Sequence, residues 1–296
     1  MPQHFVAPPQ WEWYIVWYFF LGGLAGGAYL IGTLLRLMGD PRDQGVSRLA
    51  FLVAFPAMAI CPILLTLDLG RPTRFWHMMI NSRTLEPNFK YWSPMSVGAW
   101  VLFFFGLFAT LSFIEALVRE GRLRHSLARR IADVMGGAIG RVLMVVGALC
   151  GLFVAGYTGV LLSGSNQPIW SDTWALGGLF LASGLSVSAA TLAILARTRA
   201  DASATEGKLT RADRIFIVLE LVLLVAFFAT LGALAGRLFA PRWIVLWLLV
   251  AIGTLVPLAM SRTPSAGRRG SPVLAGWLVL LGGLALRIVV VFGAQM

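Results

Sequence analysis

The chain has 296 residues, 58% of them hydrophobic and only 12% charged, with a mean hydropathy of +0.80. A soluble globular domain carries about 25% charged residues, which excludes that class. The net charge of +11 would suit a nucleic-acid partner in a soluble protein, but here its placement reports membrane orientation.

Apolar runs of about 20 residues separated by short charged links define a polytopic helical membrane protein embedded in the lipid bilayer. Eight such runs fall in 13–37, 47–69, 94–118, 134–162, 172–197, 213–237, 241–260 and 272–294. They are continuous rather than alternating, so a β-barrel is not expected. Of the 24 Lys and Arg residues, seventeen fall on the side away from the termini, including Arg36, Arg42, Arg48, Arg262, Arg268 and Arg269. The positive-inside rule then puts both termini outside the cytoplasm. Met1-Pro2-Gln3-His4 has no basic n-region, so no cleavable signal peptide is expected. Cys61 and Cys150 lie within apolar runs and read as small apolar fillers.

The arm up to Gln10 carries Pro2, Pro8 and Pro9 and is expected to be extended. Trp11, Trp13, Tyr14, Trp17 and Tyr18 then crowd the entry of the first helix as an aromatic belt, with Glu12 among them. Gly22, Gly23, Gly26, Gly27 and Gly32 follow, and small residues at such spacing let helices approach closely. The second run holds Pro56 and Pro62, which predict a bend.

That run ends in Leu67-Asp68-Leu69-Gly70-Arg71-Pro72-Thr73-Arg74-Phe75-Trp76-His77, an acid, two arginines, a tryptophan and a histidine within eleven residues. Ionisable groups at a bilayer edge are costly unless paired or wet, so a functional site is expected here. An ordinary helix end, with Gly-Arg-Pro as stop signal and Trp76 as interface anchor, is the other reading. Further on, Ser93-Pro94 opens the third helix, Glu115 pairs with Arg119 at helical spacing, and a solvated loop leads to Asp133. Arg141 starts the fourth helix, and Tyr157 places a hydroxyl inside the membrane, where a phenol needs a partner. Ser163 to Asp172 form a polar outer loop with Asn166 and Trp170.

Leu176-Gly177-Gly178-Leu179 echoes Leu21-Gly22-Gly23-Leu24, which predicts two parallel four-helix bundles, 13–163 and 164–296, after an arm at 1–12. Residues 198–212 read as a flexible linker. Glu220 lies two turns into the sixth helix without a basic residue one turn further on, and Arg287 is a lone cation in an apolar helix. Arginine stays ionised, so it needs an acid, a cavity or a ligand, with Asp68 as the expected partner.

Three membrane classes follow from this layout. A haem or metal enzyme fails because His4, His77 and His125 all fall in tails or loops and no ligand cluster has metal spacing. A secondary transporter or ion channel without a redox partner stays open, since Arg141, Glu220 and Arg287 are placed within spans. An electron-transfer anchor is the third class.

Leu67-Asp68-Leu69-Gly70-Arg71-Pro72, Arg74-Phe75-Trp76, Ser93-Pro94-Met95-Ser96-Val97-Gly98-Ala99-Trp100, Tyr157-Thr158-Gly159 and Leu286-Arg287-Ile288-Val289-Val290 resemble the NrfD/polysulfide reductase membrane-subunit family over the whole chain. The resemblance implies a quinone-reacting anchor of the bacterial cytoplasmic membrane, without haem or metal of its own and not catalytic alone. It also implies an iron–sulfur partner that wires to a catalytic subunit, often of molybdopterin type. By family position Asp68 and Tyr157 stand at the quinone headgroup, with Tyr18, Arg71, Arg74, Trp76, His77 and Arg287 at the pocket or its rim. Relatives use polar residues on the first helix, and here Tyr18 stands in a stretch that departs from that pattern. Glu115, Arg141 and Glu220 are the expected proton route through the cytoplasmic half.

Overall fold

In the computed structural model, residues 10–199, 205–261 and 271–295 are described. The expectations resting on His4, on Pro2, Pro8 and Pro9, and on Arg262, Arg268 and Arg269 lie outside these residues. Ten helices are present among the described residues: α1 Trp13–Met38, α2 Gln44–Asp68, α3 Pro94–Arg119, α4 Ser126–Gly136, α5 Ala138–Ser163, α6 Ala175–Ala196, α7 Glu206–Leu231, α8 Ala235–Leu238, α9 Pro241–Met260 and α10 Ser271–Gly293. All but α4 belong to eight segments long and apolar enough to cross a membrane, with α7 and α8 sharing the segment Glu206–Leu238. No strand forms among the described residues; the one β-bridge, Ile80 with Pro87, closes a short turn.

The structure revises several sequence boundaries. Helix α7 opens at Glu206, inside the segment expected to be a linker, and stops at Gly232, whose φ of +52° breaks the helix. The loop expected to be solvated up to Asp133 contains α4, because Ala128, Ala132 and Met135 recur at helical spacing and are buried. Trp170, expected in a polar loop, is fully buried. Pro56 and Pro62 lie inside one continuous helix, α2.

Helices α1 and α6 are buried along most of their length, and their small residues set the closest approaches. A methyl group at Gly26 would overlap the Gly151 carbonyl oxygen of α5, and one at Gly23 would stand 3.2 Å from Gly184 Cα of α6. Lipid tails are as apolar as leucine, so close backbone packing replaces the hydrophobic drive between helices. On the same principle α9 meets α10 through Gly253 and Gly282.

The two ends of the bundle are tied differently. At one end Trp11 N–H donates to Gln295 Oε1 at 2.7 Å, and Gln295 Nε2 donates back to the Trp11 carbonyl at 3.3 Å. Trp170 Nε1 donates to the Val290 carbonyl at 2.8 Å while its ring stacks on Trp11 at 5.0 Å. The other end is ionic. Glu115 meets Arg36 at 2.7 Å and Arg119 at 3.3 Å, Lys208 bridges Asp40 and Asp43 at 2.6 and 2.7 Å, and Glu120 meets Arg122 and Arg199.

Gly26→Ala is expected to cost about 1–3 kcal/mol, because backbone rather than a flexible side chain occupies the space. Gly207→Ala, with no atom within 4 Å of the added methyl, is expected to gain about 0.5–1 kcal/mol. Unfolding titrations of the detergent-solubilised variants measure both, and equal stabilities would refute the packing argument.

Candidate functional site

The hydrogen-bonded end of the bundle also gathers the residues singled out at the end of α2. Asp68, the last residue of α2, is half-buried, with the backbone of Glu12 as hydrogen-bonding neighbour and the Glu12 carboxylate beside it. Glu12 precedes the first turn of α1, where free N–H groups favour an anion. Carboxylates in this position are general acid or base candidates toward a group that reaches the end of the bundle. Glu12 and Asp68 are 56 positions apart and flank different helices, so sequence spacing does not pair them.

Tyr18 and Tyr157 lie deeper. Tyr157 is buried on α5; its hydroxyl donates to the Pro94 carbonyl at 2.6 Å and its ring stacks on Phe153 at 5.3 Å. Gly98 leaves room for that ring, since a Cβ there would overlap Tyr157 Cζ. Tyr18 is buried on α1 within electrostatic reach of Cys61 and Tyr157. Glycine at 22 brings the Tyr18 ring close, 3.8 Å from the position a Cβ would take and opposite Val154 of α5. The two phenols thus lie where α1, α2, α3 and α5 meet.

Beyond Asp68 the chain turns into a short 3₁₀ segment, Pro72–Met78, with Arg71, Arg74, Phe75 and Trp76 exposed. Arg71 and Arg74 make no ion pair among the described residues. His77 is half-buried, its ring edge-on to Trp76 at 4.0 Å and its carbonyl accepting from Asn88 Nδ2 at 3.3 Å.

Arg287 does not belong to this rim, and Asp68 is not its partner. The guanidinium is fully buried among α1, α6 and α10. It donates to the carbonyls of Phe19, Gly283 and Phe180 at 3.1, 2.7 and 3.4 Å and to Ser183 Oγ at 3.2 Å. The phenyl faces of Phe20 and Phe180 lie 5.6 and 5.3 Å from its central carbon. A methyl at Gly23 would stand 2.9 Å from its Nη2, so glycine there lets the arginine cross to α1. The acid that faces it is Glu220, which also faces Ser183. Glu220 therefore has the neighbours that intrahelical spacing did not reveal.

Asp213, missed in the sequence, lies seven residues before Glu220 on the same face of α7 and accepts from Ser186 Oγ at 2.7 Å. Ser183 and Ser186, one turn apart on α6, thus oppose Glu220 and Asp213 two turns apart on α7. The other two residues of the expected proton route stand elsewhere. Glu115 is held by Arg36 and Arg119, and Arg141 is exposed in the first turn of α5. No group of three or more His, Cys, Asp or Glu residues placed to hold a metal ion occurs among the described residues.

A family model described as polysulphide reductase, NrfD, matches residues 2–296. The chain belongs to the NrfD family. It is 26% identical to protein NrfD of Escherichia coli strain K12, with 97% of this chain and 95% of that protein covered. It is equally 26% identical to a polysulfide reductase chain of Wolinella succinogenes, over 96% and 94% of the two sequences. To a putative dimethyl sulfoxide reductase membrane subunit of Halobacterium salinarum it is 25% identical, over 96% and 68%. Within this NrfD-family chain the motif residues Asp68, Tyr157 and Arg287 divide between an end site and an interior cluster.

Arg287→Leu strands Glu220 in apolar surroundings and is expected to cost about 3–5 kcal/mol. Replacing both Arg287 and Glu220 by leucine is expected to cost less than the sum of the single changes. Unfolding of the four proteins in detergent gives the coupling, and strict additivity would show that the two groups do not interact.

Proposed function

We propose that this chain is the quinone- and quinol-reacting membrane subunit of a respiratory oxidoreductase complex, exchanging electrons with an iron–sulfur subunit. The observation that carries the reading is the end site: Asp68 and Glu12 side by side, above buried Tyr18 and Tyr157, beneath an exposed rim of Arg71, Arg74 and Trp76. Relatives named as subunits of polysulfide and dimethyl sulfoxide reductases support the subunit role. Cation placement supports extracytoplasmic termini in a bacterial cytoplasmic membrane, with the end site on the outer face. The Gly-Gly echo supports bundles at 13–163 and 164–296.

A quinone supplies the redox chemistry, since its ring carries two electrons and two protons between its oxidised and reduced forms. The residues present fit such a flat amphiphile: aromatic walls, small residues at Gly22 and Gly98, and a few polar groups at one end. Asp68 and Glu12 hold or release a proton at the outer edge. The Tyr157 hydroxyl, donating to the Pro94 carbonyl, would accept from a quinol hydroxyl beside it through its free lone pairs. Arg71 and Arg74 offer an exposed cationic rim for the electron-transfer partner.

Asp68→Asn and Tyr157→Phe are expected to lower quinol-linked turnover of the purified complex by about 10²-fold or more for a proton-transfer role. Both should leave the iron–sulfur subunit bound. Unchanged turnover would remove these residues from the site. Purification of the chain alone, indifferent to quinol analogues, would favour a transporter instead.

Coupled proton movement is proposed through Glu220 and Asp213 rather than Glu115 and Arg141. The support is the facing pair of serines and the buried cation at its inner limit. In liposomes containing the whole complex, Glu220→Gln is expected to reduce protons moved per quinol to those of the quinone chemistry alone. An unchanged ratio would end this assignment.

A further inference from the structure

Helix α4 divides its surface into three faces. Ala128, Ala132 and Met135 are buried against the bundle. Leu127, Ile131 and Val134 recur at i, i+4 and i+7, about 100° around the helix from that buried stripe. Leu127 and Val134 are 60% and 49% exposed. Arg129 and Asp133 occupy the third face, with Arg130 at its border with the apolar stripe. A helix buried only by protein needs one apolar face; this one has two at right angles.

The second apolar face has an evident continuation. Directly after α4, Ile139 and Val142 of α5 are 65% and 62% exposed, and Val145, Val146, Leu149 and Phe153 prolong the strip down a membrane-spanning helix. The α4 stripe thus meets the level at which α3 ends and α5 begins, at the mouth of the lipid phase. A water-soluble protein seated on α4 would leave that strip uncovered.

The charge around it is unbalanced. Arg119 is engaged by Glu115 and by the Ala132 carbonyl, and Arg122 by Glu120. Arg124, Arg129, Arg130 and Arg141 are exposed and make no ion pair among the described residues. Asp133 is the one carboxylate on the α4 surface.

We propose that α4 lies in the bilayer interface, with Leu127 and Val134 among the acyl chains, Ile131 between them packed partly against the bundle, and Arg124, Arg129, Arg130 and Arg141 binding the phosphates of anionic phospholipids. Apolar side chains anchor such a helix, and arginine heads reach up from its flanks to the headgroups. The site is independent of the quinone reading, since it needs only a bilayer around the eight spans.

The test uses the whole complex in nanodiscs of phosphatidylcholine alone or mixed with phosphatidylglycerol. Nitroxide labels at Val134→Cys and Arg129→Cys, in a Cys61→Ala, Cys150→Ala background, report contact with oxygen or with an aqueous nickel chelate. The label at 134 is expected to be oxygen-accessible and the label at 129 chelate-accessible. In native mass spectrometry the unsubstituted complex is expected to retain phosphatidylglycerol several-fold more than a variant with all four arginines changed to glutamine. Two chelate-accessible labels, labels shielded from both reagents by a protein, or lipid retention unaffected by the substitutions would each overturn the proposal. The labels decide the matter if the fourfold variant does not assemble.

Discussion

A guanidinium cannot be left dry and unpaired in the interior of a membrane protein, and Arg287 meets that constraint by borrowing from four helices. Its own helix supplies the Gly283 carbonyl, α1 the Phe19 carbonyl, α6 the Phe180 carbonyl and the Ser183 hydroxyl, and α7 the facing Glu220. All three carbonyls lie within helices, so the helices must be at the right height and rotation before the arginine can be satisfied. Ionised groups in apolar surroundings are costly enough for this requirement to dominate local packing. Glycine at 23 follows directly, because any side chain there would occupy the space of the guanidinium. The approach of Gly23 to Gly184 and of Gly26 to Gly151 then locks α1 to α6 and to α5.

The two ends of the bundle use different chemistry for the same task. At the end where α1 begins, amide and indole groups of Trp11, Trp170 and Gln295 bind backbone carbonyls and one another, and Asp68 and Glu12 lie beside one another there without an ion pair among the described residues. At the opposite end nearly every acid is consumed by a cation: Glu115, Glu120, Asp40 and Asp43 all sit in ion pairs. Carboxylates held by arginine or lysine are poor proton carriers, and Asp68 and Glu12 make no such ion pair among the described residues. The asymmetry is a physical reason to look for chemistry at the former end and for anchoring at the latter.

Much of this was legible in the sequence. Eight continuous apolar runs defined the spans, because every backbone group in lipid must be satisfied within its own helix. The Asp68 stretch and Tyr157 stood out because few other polar side chains interrupt those runs. What the sequence could not reveal is which helix faces which. Asp68 is the partner expected for Arg287 because an ionised arginine needs an acid, but the rotation of α10 turns the arginine toward Glu220. The same limit hid Asp213, whose partner Ser186 is on another helix, and Glu12, whose neighbour is 56 positions away. Helix α4 was obscured differently: its arginines made the segment read as solvated loop, although Ala128, Ala132 and Met135 carry a helical period.

One element belongs to both the end site and the interior cluster. On α1, Tyr18 lies toward Cys61 of α2 and Tyr157 of α5, while the carbonyl of the next residue, Phe19, accepts from Arg287. Gly22 and Gly23 repeat the division one turn later, the first facing Val154 and the second Gly184 and Arg287. A rotation of α1 that repositions Tyr18 therefore moves an oxygen bonded to the cation that faces Glu220. The two sites are thus contiguous through the backbone of one packed helix. The glycines bring that helix close enough for its backbone to touch the elements that carry both sites.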